Sequence, residues 1–313
     1  MPLPPGVVVR PAAAADVPEL VRLYRACDAA DMGRVDSDEE EVLWRWRTGG
    51  FDLAADTWVA ERAGESVAYG WVFEGLADVR VDPAARGLGI GAHLLHLSER
   101  RAAVQGSRDG MVRQNVTNLN PGARELLEAA GYVESHHYAR LEVELAERPE
   151  VPPVPAGVVV RTYEPGRDDA AVHAAFNRAW SQYEGERWVP ETLERWLEQT
   201  EAETFDPATW HLALADGEVA AFSLCDQYPD LGWVQYLGTV PEARGRGLGR
   251  LLLLQSFAVY WDRGIKRVGL TAASTNLPAA RALYGSAGMT EVLRYDNLKK
   301  PLSQVTAGGR FSY

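Results

Sequence analysis

One short stretch occurs twice in the 313-residue chain and constrains its fold more than any other feature. Pro83, Arg86, Gly87, Gly89 and Gly91 recur as Pro241, Arg244, Gly245, Gly247 and Gly249. Each copy follows an apolar run of β type, residues 76–81 or 233–240, and precedes an apolar helical pattern, residues 92–104 or 251–261. The order is strand, glycine-rich turn, helix N-terminus. Such a junction is a cradle for an anion, because glycines let the backbone approach a ligand and the first helical N–H groups lack intrahelical partners. Neither copy carries the Gly-Lys-Ser/Thr of a Walker A loop or the G-x-G-x-x-G of a dinucleotide fold. Both carry R-x-x-G-x-G.

The cradles belong to a larger duplication. Gly6-Val7-Val8-Val9-Arg10 returns 151 positions later as Gly157-Val158-Val159-Val160-Arg161, and Arg86 and Arg244 are 158 positions apart. A repeat of that length is a duplicated domain rather than a solenoid. Four prolines between residues 149 and 155 favour an extended linker. The expected organisation is an N-terminal domain over residues 1–148, a linker over 149–156, a C-terminal domain over 157–302 and a tail over 303–313. In each half helices intermix with mostly antiparallel strands, so the expected class is α/β (α+β) with a mixed central sheet flanked by helices. Among the predicted elements are helices starting at Asp16 and Asp168, a helix with Pro190 at its first position, and a helix over residues 277–287 closed by Gly288.

Composition narrows the function. The net charge is −12, with nine of the surplus acids in residues 1–150 and three in 151–313. That balance argues against a nucleic-acid partner and suits a neutral or cationic small molecule. No apolar run reaches membrane-span length and the first residues lack a signal-peptide pattern, so a cytoplasmic protein, monomer or homodimer, is expected. Cys27 and Cys225 offer no disulfide framework. No metal is expected: His136 and His137 have no third ligand spaced to join them.

The R-x-x-G-x-G turn resembles motif A of the GNAT superfamily of N-acyltransferases, and the likeness covers nearly the whole chain, twice. It is strongest over residues 205–298, where Asn276, Ala279, Leu283, Tyr284 and Gly288 match the pattern N-x-x-A-x-x-L-Y-x-x-x-G, with Met289 in place of an aromatic. There the chain is also similar to the mycothiol synthase family of tandem GNAT enzymes. The resemblance implies acetyl-CoA as co-substrate and direct acetyl transfer to the primary amine of a small molecule. Leu237 and Thr239 would pair with the pantetheine arm by their backbone groups. Arg244, Gly245, Arg246, Gly247, Leu248, Gly249 and Arg250 would hold the pyrophosphate, with Asn276 and Arg281 alongside. Tyr284 would be the general acid for the departing thiolate. Trp180, Tyr183, Glu184 and Trp233 would line the acceptor pocket.

Two departures from the family pattern matter. Where many GNAT enzymes place a Glu on the strand before the cradle, this chain has Trp233, and no carboxylate occurs between Asp230 and Glu242. A water chain, or Glu184, Glu186, Asp226 or Asp230 from other segments, would then accept the amine's proton. In the first half Leu127 stands where Tyr284 stands in the second. Val81, Arg86, Gly87, Gly89 and Gly91 form an intact cradle there, so that domain is expected to bind acetyl-CoA without turnover. A non-catalytic acyl-CoA-binding sensor or scaffold, and a mycothiol synthase-like amino-sugar conjugate acetyltransferase, are the alternatives.

Overall fold

The computed structural model describes residues 3–35, 37, 39–181, 190, 192–273 and 277–305. In chain order the first half contains β1 (Val7–Arg10), α1 (Val17–Met32), α2 (Glu39–Arg47), α3 (Leu53–Asp56), β2 (Thr57–Arg62), β3 (Glu65–Phe73), β4 (Leu76–Val81), α4 (Ile90–Gln105), β5 (Met111–Thr117), α5 (Pro121–Ala129) and β6 (Val133–Glu144). The second contains β7 (Val158–Thr162), α6 (Asp169–Trp180), α7 (Leu193–Leu197), β8 (His211–Ala215), β9 (Glu218–Gln227), β10 (Leu231–Thr239), α8 (Leu248–Asp262), β11 (Arg267–Ala273), α9 (Leu277–Ser286) and β12 (Thr290–Pro301). Pro190 lies outside α7. Thr192 caps that helix, its hydroxyl accepting from the Arg195 amide, so the helix begins three residues later than the proline suggests.

Contacts divide the chain into one unit of residues 1–137 with 295–313, and a second of residues 138–294. The expected ranges of 1–148 and 157–302 follow chain order. The units differ from them because each half supplies a strand to the other's sheet. In the first unit strands run β1-β2-β3-β4-β5-β12, and in the second β6-β11-β10-β9-β8-β7. The antiparallel registers are Leu298 opposite Gln114 and Leu141 opposite Leu270.

The duplicated sequence folds twice in the same way. Arg10 at the end of β1 makes a two-pronged ion pair with Asp16 before α1, and Arg161 does the same with Asp168 before α6. Asp16 and Asp168 therefore act as anchors for those arginines, and neither side chain caps its helix. Asp52 and Asp206 each accept a backbone N–H two residues on, from Ala54 and Ala208, turning the chain into the hairpin that follows. Helix α8 buries Leu248, Leu251, Leu252, Leu253, Leu254, Phe257 and Tyr260. Its near-continuous apolar composition follows from contact with β8, β9 and β10 on one side and α9's neighbours on the other.

Glycines in β10 mark where the sheet is crowded. A Cβ on Gly238 would stand 2.3 Å from the Phe222 ring, whereas one on Gly285 would meet nothing within 4 Å. Gly238→Ala should destabilise by about 1–3 kcal/mol through overpacking, while Gly285→Ala should stabilise by roughly 0.5–1 kcal/mol through helix propensity. Thermal melts of the two variants are expected to move in opposite directions.

Candidate active site

Strands β10 and β11 run parallel and pair only from Leu231 opposite Arg267 to Trp233 opposite Gly269. Beyond that point they part, although β10 continues to Thr239 and β11 to Ala273. Residues 234–239 pair with β9 alone, and a bulge falls between Val234 and Tyr236. A bulge adds one residue to one strand and bends it, and such bulges gather beside active sites. The result is a wedge whose open side presents backbone groups of β10, Leu237 and Thr239 among them. An extended chain can add to such an edge as another strand would.

The wedge opens toward the second cradle. Gly245 and Gly247 have φ of 77° and 79°, a region L-residues avoid, and a Cβ on either would meet nothing within 4 Å. Gly247 is the N-cap of α8, so the free amides of the first turn face the same space. Arg246 and Arg250 are exposed beside it. Arg244 is turned elsewhere, donating to the carbonyls of Thr239 at 3.3 Å and Ala179 at 3.1 Å. It ties the cradle to the end of α6, and the exposed charges beside the turn are those of Arg246 and Arg250.

Helix α9 brings the phenol. Tyr284 packs with Leu237 against one apolar cluster that includes Leu253, Phe257 and Met289. Near Gly249, Leu283 and Thr239 come within 3.7 Å of the position a Cβ would take, so α8, β10 and α9 converge there. Desolvation pushes the Tyr284 hydroxyl up to about 12. It makes no hydrogen bond among the described residues and holds its proton across neutral pH. Arg281 is exposed on the same helix and lies 3.6 Å from Glu291.

The face of the sheet that carries Trp233 is polar and crowded. The Arg140 guanidinium lies 5.0 Å over the Trp233 ring and pairs with Glu142 at 2.7 Å. Trp233 donates from Nε1 to Gln235 Oε1 at 2.9 Å, and a Cβ on Gly269 would stand 2.7 Å from its ring. Trp180 stacks on Phe176 at 4.7 Å and also meets Phe222 and Tyr236. It is a partly buried member of an aromatic cluster. Tyr183, Glu184, Glu186, Trp188 and Asn276 lie outside the described residues.

Asp226 was one of several candidate acids in the sequence, and the register singles it out. It is directly opposite Trp233 on β9. Its carboxylate accepts from Thr204 Oγ1 at 3.3 Å, and burial pushes it up to about 6. Asp230 is exposed and paired with Arg267 at 3.0 Å. The strand pairing and the bulge at Gln235 have no signature in the sequence, so this apposition was not legible there.

The first unit has a similar wedge with different furniture. β4 pairs with β5 only at Leu76 and Ala77 and then parts from it, without a bulge against β3. Gly87 and Gly89 have φ of 76° and 83°. Arg86 donates from Nη1 and Nη2 to Asp31 at 2.6 and 3.0 Å, and Asn120 joins the same carboxylate at 3.0 Å. Leu88 and Ala92 stand where Arg246 and Arg250 stand in the second unit. Val81 offers its carbonyl to Arg86 and to the Cys27 thiol. Gly91 sits close to Val81 and Leu126, and Leu127 is buried in the core. The expectation that His137 has no third ligand is corrected: β12 places Asp296 beside Glu134 and His137. Arg124 already occupies that group, donating to Asp296 at 2.5 Å and Glu134 at 2.8 Å.

A splayed strand pair ending in a glycine-lined cradle, with a phenol packed along the wedge, is the architecture of a group-transfer enzyme. Comparison with known proteins gives the class its name. The sequence model of the Acetyltransferase (GNAT) family matches residues 171–289, and that of the Acetyltransferase (GNAT) domain matches residues 54–134. A mycothiol acetyltransferase of Thermomonospora curvata is 35% identical over 229 residues, covering 67% of this chain and 73% of the relative. One of Kineococcus radiotolerans is 32% identical over 303 residues, covering 92% and 95%. Among solved structures, a GCN5-related N-acetyltransferase from Sphaerobacter thermophilus has a TM-score of 0.82 at 30% identity, covering 96% of this chain and 97% of its own. A tandem GNAT protein from the clavulanic acid biosynthesis pathway shares the fold, with a TM-score of 0.73 at 19% identity over 95% and 98%. The chain belongs to the GNAT family of acetyltransferases and carries two GNAT domains. No helix of the described residues is long and apolar enough to cross a membrane.

The burial of Asp226 has a consequence for stability. Its folded value of about 6 lies above the ordinary carboxylate value of about 3.9. Between those values the folded state holds more protons than the unfolded one, so this group's contribution falls as pH rises from 4 to 6 and is flat above. Asp226→Asn should therefore raise the melting temperature at pH 7.5 and leave it nearly unchanged at pH 4. Parallel melts at the two pH values check this.

Proposed function

We propose that the C-terminal unit transfers an acetyl group from acetyl-CoA directly to the primary amine of a small molecule. The observation that carries this reading is the convergence of the β10–β11 wedge, the Gly245–Gly247 turn and the Tyr284 hydroxyl, which has no hydrogen-bond partner among the described residues. Acetyl-CoA supplies an activated thioester on a long arm that ends in pyrophosphate. The residues fit it: β10 carries an open edge for the pantetheine amides, and the amides across Arg244 to Arg250, with Arg246 and Arg250, suit the pyrophosphate.

Backbone groups of Leu237 and Thr239 hold the arm extended, so that the thioester lies between the bulge and Tyr284. The amine nitrogen attacks the thioester carbonyl, whose developing negative charge is met by backbone N–H groups of the bulged strand. As the carbon–sulfur bond breaks, Tyr284 gives its proton to the leaving sulfur. Trp233, braced by Arg140, narrows the acceptor side of the wedge. No covalent acyl-enzyme is required: Cys225 is buried against Ser223 and Ser256, and burial raises its thiol further.

The curated relatives are named for mycothiol, which favours an acceptor of that kind, an amino-sugar conjugate bearing a primary amine. An acidic protein surface suits such an amine. The N-terminal unit plays a supporting role in this proposal. Its cradle keeps its glycines, but Arg86 is neutralised by Asp31 and the two further arginines are missing, so it binds acetyl-CoA more weakly than the C-terminal one.

Two measurements test the proposal. Tyr284→Phe is expected to lower kcat for thiol release by about 100-fold or more while leaving the Kd for acetyl-CoA within about twofold. Unchanged kcat would remove Tyr284 from the chemistry. Calorimetric titration with acetyl-CoA should show one tight site per chain, and Arg246→Ala with Arg250→Ala should weaken it by roughly 10- to 100-fold. Two equal sites, or binding that survives the double substitution, would contradict the assignment.

A further inference from the structure

Attack on the thioester needs a neutral amine, which sheds one further proton as the amide forms, and Trp233 occupies the place from which a carboxylate on β10 would take that proton. We propose that Asp226 is that proton acceptor, reaching the acceptor side of the wedge from the neighbouring strand β9. The inference rests on the transferase reading of the C-terminal unit.

Three observations carry it. Residues directly opposed on antiparallel strands point to the same face with Cβ atoms about 5 Å apart, and Asp226 is opposed to Trp233. It therefore stands one strand away from the position of Trp233, a distance that one water molecule spans. Trp233 is also the last residue of β10 paired with β11, so Asp226 lies level with the apex of the wedge rather than along a closed part of the sheet. Finally, its carboxylate faces no cation among the described residues. The buried carboxylates of Asp56, Glu99, Asp168 and Asp296 each meet an arginine or lysine, as a purely structural acid must to offset its desolvation. Asp226 has the Thr204 hydroxyl as its one side-chain hydrogen-bond partner among the described residues. A desolvated acid without a counter-ion, beside a candidate site, is poised to exchange a proton.

The groups around it are consistent with that role. From α8, the Tyr260 hydroxyl donates to the Asp226 carbonyl at 2.6 Å and reaches the Trp233 carbonyl, bracing both strands from the opposite face. Cys225 lies on that opposite face too, and burial raises both its thiol and the Tyr260 phenol, so neither carries charge near neutral pH. From β6, Arg140 is engaged with Glu142 and with the Trp233 ring. Arg263 of α8 is held by Gln227 and Asp206. Proton movement then balances. The amine passes one proton to the Asp226 carboxylate, directly or through one water, its nitrogen forms the amide bond, the carbon–sulfur bond breaks, and the sulfur takes a proton from Tyr284. Asp226 afterwards releases its proton to solvent, and solvent reprotonates Tyr284.

The test measures thiol release from acetyl-CoA by the full chain across pH 4.5–9, on a panel of amino sugars and simple primary amines. For wild type, log kcat/KM should rise with a slope of 2 below about pH 6, where both the amine and Asp226 must lose a proton, and a slope of 1 above it. Asp226→Asn should fall by about 100- to 1,000-fold and show a slope of 1 throughout. Its acetyl-CoA Kd should be unchanged, which also shows that it is folded. Asp226→Glu, longer by one methylene, should recover part of the rate and the double slope. An Asp226→Asn enzyme within threefold of wild type, or one that keeps the slope of 2, overturns the assignment and leaves the transferase reading standing. A wild-type chain that binds acetyl-CoA but releases no thiol on any amine of the panel overturns both.

Discussion

Two neighbouring strands that separate in mid-sheet leave a row of backbone donors and acceptors without partners, and a protein tolerates this only where something else can satisfy them. That constraint organises the second unit. β10 and β11 are held together as far as Trp233 and Gly269 by packing too tight for larger residues: the Trp233 ring lies on Gly269, and the Tyr260 ring fills the space beside Gly232. Past that point the bulge at Gln235 turns β10 away, and the strand reaches the cradle with one edge open. The extended arm of acetyl-CoA is the partner that the open edge awaits in the proposed function.

The two units show how one architecture can be kept while its chemistry diverges. The Arg10–Asp16 and Arg161–Asp168 pairs, the Asp52 and Asp206 turns, and the positive φ of both cradle glycine pairs are common to both. They belong to the scaffold. What differs is local: a bulge in β10 and none in β4, Tyr284 against buried Leu127, Arg246 and Arg250 against Leu88 and Ala92, and Asp31 set against Arg86. In the proposed function each difference would weaken the first unit's hold on a thioester, and none of them requires the fold to change. The arginine of the motif illustrates the point. In both units it donates back to the strand carbonyl five residues earlier, so its first role is to fix the turn.

The acceptor side is where the family pattern and this chain part. A tryptophan at position 233 adds a large, Arg140-braced wall and removes a carboxylate from β10. In the proposed mechanism Asp226 on β9 keeps a proton acceptor near the wedge. The cost is a desolvated Asp226, offset by the packing of Tyr260, Cys225 and Phe257 around the same strands.

The tandem arrangement, the order of elements and the location of both cradles were legible in the amino-acid order, because glycine turns, hydrophobic period and the helix that follows are local properties of consecutive residues. The helix that carries Tyr284 was legible for the same reason. The start of α7 was misplaced because Thr192 competes with Pro190 for the first turn, and the group of Glu134, His137 and Asp296 was missed because Asp296 comes from β12, far along the chain from the other two. The exchange of β6 and β12 between units, the parting of β10 from β11, the bulge at Gln235, the pairing of Arg86 with Asp31 and the apposition of Asp226 to Trp233 were decided only by the tertiary structure. All of these depend on strand register or on which elements pack together, and a one-residue slip of β9 would move Asp226 to the other side of the sheet from Trp233.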